Sequence, residues 1–260
     1  MHANANLDLP ALYRQTEEHF FAAICSTHRR YGSGINAYFT DEYFSPFNLL
    51  CIRVGSALLD DALAAPMDLI LRTSQEVRIA IHEKKVKALC GVLRELGFEP
   101  DEKSTAMVLD LSDFVPSVSE SNVQINLTLN MNDWAGPFGS AYLRPPEDVA
   151  RYQTRHQRAL EAGQALYHFT LCDEGQTRSS LVLSMCDGEA RLNDVGTAAG
   201  FRGRGYATRL IHAALLHASS LGAQRCFLEA SQGAFALYRQ LGFERLFDYQ
   251  SFTRESVAGA

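Results

Sequence analysis

Between Asp194 and Leu210 the chain reads D-V-G-T-A-A-G-F-R-G-R-G-Y-A-T-R-L, and the chemistry open to these residues is anion binding. Val195 to Thr197 is a short strand-like lead. The loop Gly200-Phe201-Arg202-Gly203-Arg204-Gly205 follows, and an amphipathic run starts at Tyr206. Glycine lets the backbone take positive φ and come close to a ligand. The first N–H groups of the next helix lack intrahelical partners and lie at the positive end of its dipole. A diphosphate fits such a cradle. Two common cradles are excluded by spacing. G-x-G-x-x-G lacks its third glycine, since Ala207 and Thr208 follow Gly203-x-Gly205. G-x-x-x-x-G-K-[ST] fails because Tyr206 and Ala207 stand where Lys and Ser/Thr belong.

What the stretch does match is R-x-x-G-x-A, in Arg202, Gly205 and Ala207, preceded by V-G-T. A second block lies about 30 residues downstream: Cys226-Phe227-Leu228-Glu229-Ala230-Ser231, a strand, then a helix ending Leu237-Tyr238-Arg239-Gln240-Leu241-Gly242-Phe243. Together, in this order, the two blocks resemble the GNAT superfamily, the GCN5-related N-acetyltransferases, over roughly residues 122 to 255. The first resembles that family's coenzyme A pyrophosphate loop and the second its fifth strand and fourth helix.

The resemblance implies an enzyme that moves an acetyl group from acetyl-CoA to a primary amine of a small molecule or peptide, by direct attack and without a metal. It implies that Gly203, Arg204, Gly205, Tyr206, Ala207 and Thr208 hold the pyrophosphate, with Arg202 adding positive potential. Val195, Gly196 and Thr197 would pair with pantetheine, and Ser231 would bond the same arm where relatives carry Asn. Tyr238 occupies the position from which the family protonates the leaving thiolate; a phenol of pKa about 10 is close enough to a thiol to share a proton. The amine's base stays open among Glu229, Asp194 and His168, because strand register decides which one faces the cleft. The alternative is a regulatory acyl-CoA-binding protein that keeps the cradle without turnover.

Composition agrees with a small anionic ligand. The net charge of −6 argues against a nucleic-acid surface, yet no Asp or Glu occurs between Asp194 and Glu229, where Arg202, Arg204, Arg209 and Arg225 fall. Six cysteines without a C-x-x-C signal neither zinc nor a disulfide framework. The N-terminus lacks the pattern of a secretion signal and no apolar stretch approaches a membrane span. A cytoplasmic protein is expected.

The elements that must position these residues come next. Residues 7–30 show helical spacing, broken by Tyr31-Gly32-Ser33-Gly34. Leu49 to Val54, Met67 to Leu71, Val77 to Ile81 and Thr105 to Leu111 read as strands, and Lys84 to Leu96 as a helix stopped by Gly97. Pro116 to Asn122 is polar and loop-like, a linker. Val123 to Leu129 alternates as a strand, and Asp133 to Ser140 reads as an aromatic, glycine-containing loop. In that loop Trp134 and Phe138 either border the acceptor or plug the core. A helix from Pro145 to Ala162, strands from Gln164 to Cys172 and Ser179 to Cys186, and the Asp187-Gly188 hairpin lead to the cradle. The cradle helix runs from Tyr206 to Leu221, with His212 and His217 as packing residues. Leu246 to Phe252 reads as the last strand.

Leu93-Arg94-Glu95-Leu96-Gly97-Phe98-Glu99 echoes Tyr238-Arg239-Gln240-Leu241-Gly242-Phe243-Glu244. The fold class expected is α/β (α+β): a mixed, mostly antiparallel sheet flanked by helices, in two tandem GNAT-like domains. Residues 1–118 form a degenerate copy without the cofactor loop, and residues 122–260 the catalytic one. The N-terminal half has three roles open to it: covering the acceptor cleft, forming a homodimer surface, or completing a sheet.

Overall fold

The computed structural model describes residues 7–32, 34–39, 49–56, 64–72, 76–116 and 123–254. The expected linker is therefore mostly outside the described residues. The chain forms two compact units, which do not follow the expected division at 118–122. One comprises the described residues of Met1–Phe20, Met107–Glu229 and Ala236–Glu244; the other those of Phe21–Ala106, Ala230–Phe235 and Arg245–Ala260. Each unit thus takes in a segment from the far end of the chain.

The unit holding most of the N-terminal half contains strands β1 (Thr27–Tyr31), β2 (Ile35–Phe39), β3 (Leu49–Val54) and β4 (Glu76–His82), and helices α2 (Ala64–Arg72) and α3 (Glu83–Glu95). It also contains the greater parts of β5 (Glu99–Asp110) and β11 (Glu244–Arg254). Its strand order is β1-β2-β3-β4-β11-β5. β3 and β4 run parallel, whereas β1–β2, β2–β3 and β4–β11 are antiparallel. Ile52, Ile70, Ile79, Ile81, Leu93 and Phe98 are central to its core.

Two expectations fail here. The helix predicted to residue 30 stops earlier, as α1 (Leu9–Ile24), and residues on both sides of the Gly32 break form a hairpin. Met67 to Leu71 is helical, within α2. A five-residue apolar run carries no period of its own; the helix shows instead in buried Pro66 and Ile70 and in the outward ion pair Asp68–Arg72 at 2.7 Å, each four residues apart.

The other unit contains β6 (Gln124–Thr128), α4 (Met131–Tyr142), α5 (Pro146–Glu161), β7 (Leu166–Asp173), β8 (Gln176–Cys186), β9 (Glu189–Thr197), α6 (Tyr206–Ser220), β10 (Arg225–Ser231, as far as Glu229) and α7 (Phe235–Gln240, from Ala236). The Met1–Phe20 segment brings most of α1 with it. Strand order is β5-β10-β9-β8-β7-β6, antiparallel from β6 to β9 and parallel between β9 and β10. α6 buries Leu210, Ile211, Ala214, Leu215 and Ala218 and packs on β7, β8 and β9. The expected aromatic loop is a helix, α4. Asn130 caps it by accepting from the Asn132 N–H at 3.1 Å, and Trp134 and Phe138 lie four apart on its buried face. Gly139 is a contact position, since a Cβ there would sit 2.8 Å from Val149 of α5, and so is Gly196 of β9, where a Cβ would sit 2.9 Å from Ala141 of α4. Among the described residues, no helix is long and apolar enough to cross a membrane.

The echo survives in three dimensions. The Phe98 N–H donates to Leu93 and the Gly97 N–H to Arg94, at 2.9 and 3.0 Å; the Phe243 N–H donates to Tyr238 and the Gly242 N–H to Arg239, at 3.0 and 3.1 Å. Both are Schellman endings, and both glycines are left-handed, with φ of 79° and 93°. We expect Gly97→Ala and Gly242→Ala each to destabilise the fold by about 1–2 kcal/mol. Gly242→Ala should cost the more, because its Cβ would meet Leu109 at 3.3 Å. Urea unfolding checks this as a lowered midpoint with an unchanged slope.

Candidate functional site

The site is built where β9 leaves its neighbour. β9 and β10 pair only at Glu189–Arg225, Ala190–Cys226 and Arg191–Phe227. Beyond these pairs, the remainder of β9 is not laddered to β10 among the described residues. On its other side β9 carries a bulge: Ser180 pairs with Gly196 and Val182 with Asn193, so Asp194 and Val195 together oppose Leu181. Asp194 accommodates the extra residue with a φ of 54°, a conformation that Asp tolerates better than most side chains. A bulge re-aims side chains, and this one turns Asp194 towards α5.

The glycine loop has the shape the sequence implied. Gly203 and Gly205 have φ of 77° and 75°, and a Cβ on either would meet nothing within 4 Å. Gly205 starts α6 with no side chain capping it, so the first amides, those of Tyr206, Ala207 and Thr208, are left to a ligand. The space above the loop and these donors together fit a diphosphate.

The arginines divide their work. The Arg202 guanidinium donates to the Ala141 and Thr197 carbonyls at 2.8 and 3.4 Å, tying the loop to α4 and to its own strand. Arg204 and Arg178 lie over the Phe201 ring at 4.9 and 3.8 Å. The Tyr206 hydroxyl donates to the Asp173 carboxylate. In β9 the Val195 carbonyl accepts from the Tyr142 hydroxyl at 3.3 Å, the Gly196 carbonyl accepts from Ser179 at 2.8 Å, and Thr197 shares a hydrogen bond with Ser179 at 3.0 Å. Ser231 is the exposed last residue of β10 and falls in the other compact unit. Tyr238 lies in α7, 6% exposed and edge-on to Phe243. Burial, with Cys226 nearby, pushes its phenol above the ordinary range, so it stays protonated at neutral pH.

The three candidate bases have different surroundings. Glu229 accepts from the Tyr13 hydroxyl at 3.2 Å, and its carboxylate lies 3.9 Å from buried Arg191, which itself donates to Tyr13 at 3.3 Å. His168 is 1% exposed, and burial lowers its imidazole to about 4. Asp194 keeps 15% of its side chain exposed. The Tyr152 hydroxyl donates to both its oxygens, at 3.1 and 3.0 Å. Burial nevertheless dominates, raising its carboxyl to about 7. A group half ionised at neutrality is the best placed of the three to take a proton and release it again.

Sequence reasoning missed Tyr152, His156, Arg191 and Tyr13. The one available signal was the spacing of Tyr152 and His156, four apart on α5 and so on one face. Among the described residues, no group of three or more His, Cys, Asp or Glu is arranged to hold a metal ion.

Asp194 also leaves a mark on stability. The folded chain keeps its proton up to about pH 7, whereas an unfolded Asp releases it near pH ~4. Folding therefore takes up a proton between these values, and this contribution to stability falls as pH rises through the window. His168, whose folded value is lowered to about 4, acts oppositely: its contribution is lost as pH falls below ~6.5. We expect Asp194→Asn to remove only the first effect, so the variant should gain on wild type in melting temperature from pH 5 to pH 8. A constant difference across that range would show that Asp194 titrates normally.

The sequence profile of the Acetyltransferase (GNAT) family matches residues 129–243. No curated protein matches the chain. Among solved structures, a GCN5-related N-acetyltransferase from Kribbella flavida is 15% identical with a TM-score of 0.64, over 98% of each chain. One from Sphaerobacter thermophilus is 17% identical with a TM-score of 0.63, over 87% of this chain and 78% of that one. A tandem GNAT protein from the clavulanic acid biosynthesis pathway is 14% identical with a TM-score of 0.61, over 89% and 82%. These likenesses show a shared fold, and the profile covers the bulged strand, the glycine cradle and Tyr238. Residues 129–243, a little under half of the chain, match the model of the Acetyltransferase (GNAT) family, and the fold over the chain is that of GNAT acetyltransferases.

Proposed function

We propose that the chain is an N-acetyltransferase that moves the acetyl group of acetyl-CoA to a primary amine of a small molecule or peptide by direct attack. The observation that carries this reading is one compact unit holding the open cradle, the strand parted from its neighbour, a protonated Tyr238 and a carboxyl balanced near neutrality.

Acetyl-CoA supplies an acyl group activated as a thioester. The backbone amides from Gly203 to Thr208 would hold its diphosphate, with Arg204 adding positive potential. Arg202 serves them indirectly, by fixing the loop to α4. Backbone groups of Val195 to Thr197 would line the pantetheine arm. Asp194 takes a proton from the incoming ammonium, leaving a neutral amine able to attack, and Tyr238 gives its proton to the departing sulfur. The N-terminal half we read as a second, cradle-less copy of the domain, supported by the matched Schellman endings.

The test pairs wild type with Tyr238→Phe. Calorimetry reads acetyl-CoA binding, and thiol release is followed against a panel of amines and peptide N-termini. The variant should bind with unchanged affinity and turn over about 10²-fold more slowly or worse, the range expected for a lost general acid. Binding without any acceptor would favour a regulatory acyl-CoA-binding protein. Failure of wild type to bind acetyl-CoA would overturn the cradle reading.

A further inference from the structure

Behind Asp194 lies a polar pair that the reaction as written does not use. His156, one helical turn after Tyr152, is completely buried, and its Nε2 lies 3.6 Å from Asp194 Oδ2. Its Nδ1 shares a hydrogen bond of 2.9 Å with Nε2 of His168. Aromatic rings wall the pair. Trp134 lies 4.6 Å from His156 and 5.2 Å from His168, Tyr152 lies 4.6 Å from His156, and Phe20 lies 6.0 Å from it. Three polar atoms in this enclosure, His156 Nε2, His168 Nδ1 and Trp134 Nε1, are buried without a hydrogen-bond partner. Buried polar groups without partners are costly, and a cluster of them beside a mostly buried carboxyl calls for a role.

We propose that His156, backed by His168, is a positioning residue for Asp194: its enclosed imidazole holds Oδ2 inside the protein and keeps water from it, leaving Oδ1 to take the acceptor's proton. This rests on the transferase reading. The imidazoles gain no proton in the step; the ammonium N–H bond breaks, the carboxylate becomes a carboxylic acid, and the amine keeps the electron pair. Both rings remain neutral, because burial holds His156 well below its ordinary range and His168 near 4. One arrangement satisfies an ionised Asp194: His156 carries its hydrogen on Nε2, towards the carboxylate, and its Nδ1 accepts from His168 Nε2–H.

The charged and titratable groups facing Asp194 are Tyr152, Arg155 and His156 on α5, Arg191 on β9, Tyr142 on α4 and, behind His156, His168 on β7. Arg155 and Arg191 both favour the carboxylate, yet burial outweighs them. What sustains that burial is the packing of α5 and α4 over the bulge, with the Tyr152 hydroxyl 3.0 Å and His156 Nε2 3.6 Å from Oδ2.

Three measurements on the full chain test the proposal. In apo protein, the carboxyl of Asp194 is titrated by carbon-13 NMR of labelled aspartate, assigned by its loss in Asp194→Asn. With acetyl-CoA and an accepted amine, the pH profile of kcat/KM is recorded. In His156→Ala, water reaches the carboxyl, so its titration and the acid limb of the profile should both move down by about one pH unit or more, a tenfold change in proton affinity. His156→Gln, which keeps the volume and a polar end, should move both by less. His168→Gln gives a second perturbation should His156→Ala not fold, and should shift the same two readouts in the same direction. Nitrogen-15 shifts of wild type above pH 8 should report two neutral rings, each protonated on Nε2. A titration near 4 in wild type, or one unmoved in folded His156 and His168 variants, would overturn the proposal. A titration that shifts in protein that acetylates no amine would instead overturn the transferase reading, leaving control of Asp194 by His156 standing.

Discussion

The early end of pairing between β9 and β10 is the constraint on which the site depends. Two parallel strands that separate after three residue pairs leave backbone N–H and C=O groups that need other partners. On β9 one of these, the Val195 carbonyl, is taken by a side chain, the Tyr142 hydroxyl. Groups that remain are those a linear polar ligand can meet as an added strand would. The bulge at Asp194 belongs to the same event, because an extra residue against Leu181 increases local twist and bends the strand.

Opening a cleft in this way brings polar groups into the interior, and the structure meets that cost by linking them. Arg191 is 3% exposed, and its charge is answered by Tyr13, Glu17 and Glu229. Tyr13 accepts from Arg191 and donates to Glu229, so one hydroxyl serves both ends of a buried pair. Removing one member of such a set generally leaves another buried and uncompensated. Asp194 is treated differently. Its only hydrogen-bond donor described is Tyr152, and the weak provision for its charge is why its carboxyl holds a proton so far above the usual range. The two carboxylates near the parted strands are thus set apart by their surroundings: Glu229 lies 3.9 Å from the buried Arg191 guanidinium, while for Asp194 burial outweighs the pull of Arg191 and Arg155.

Much of the fold was legible because it rests on local rules. Gly97, Gly222 and Gly242 each sit past a helix end with positive φ, where only glycine is unstrained. Asp187-Gly188 has two positive φ values, the turn its dipeptide implied. Glycine misled where its reason was tertiary. Gly139 is helical and glycine because Val149 lies against it, and Gly196 is glycine because α4 crosses there; neither neighbour is visible in a local window.

By itself the sequence determined the cradle, since positive-φ glycines followed by an uncapped helix start are local properties of six or seven residues. It also determined the helix endings, the alternation of the strands and the place of Tyr238 in the family's pattern. Only the tertiary structure decided which carboxyl keeps its proton up to about pH 7. That depends on a one-residue bulge, which shifts register and turns Asp194 towards α5, and on burial by Tyr152, His156 and Trp134 from two helices. Only the tertiary structure, too, decided that the compact units take segments from both ends of the chain. Burial and long-range strand pairing are properties of neighbours brought together from distant positions, and no spacing along the chain encodes them.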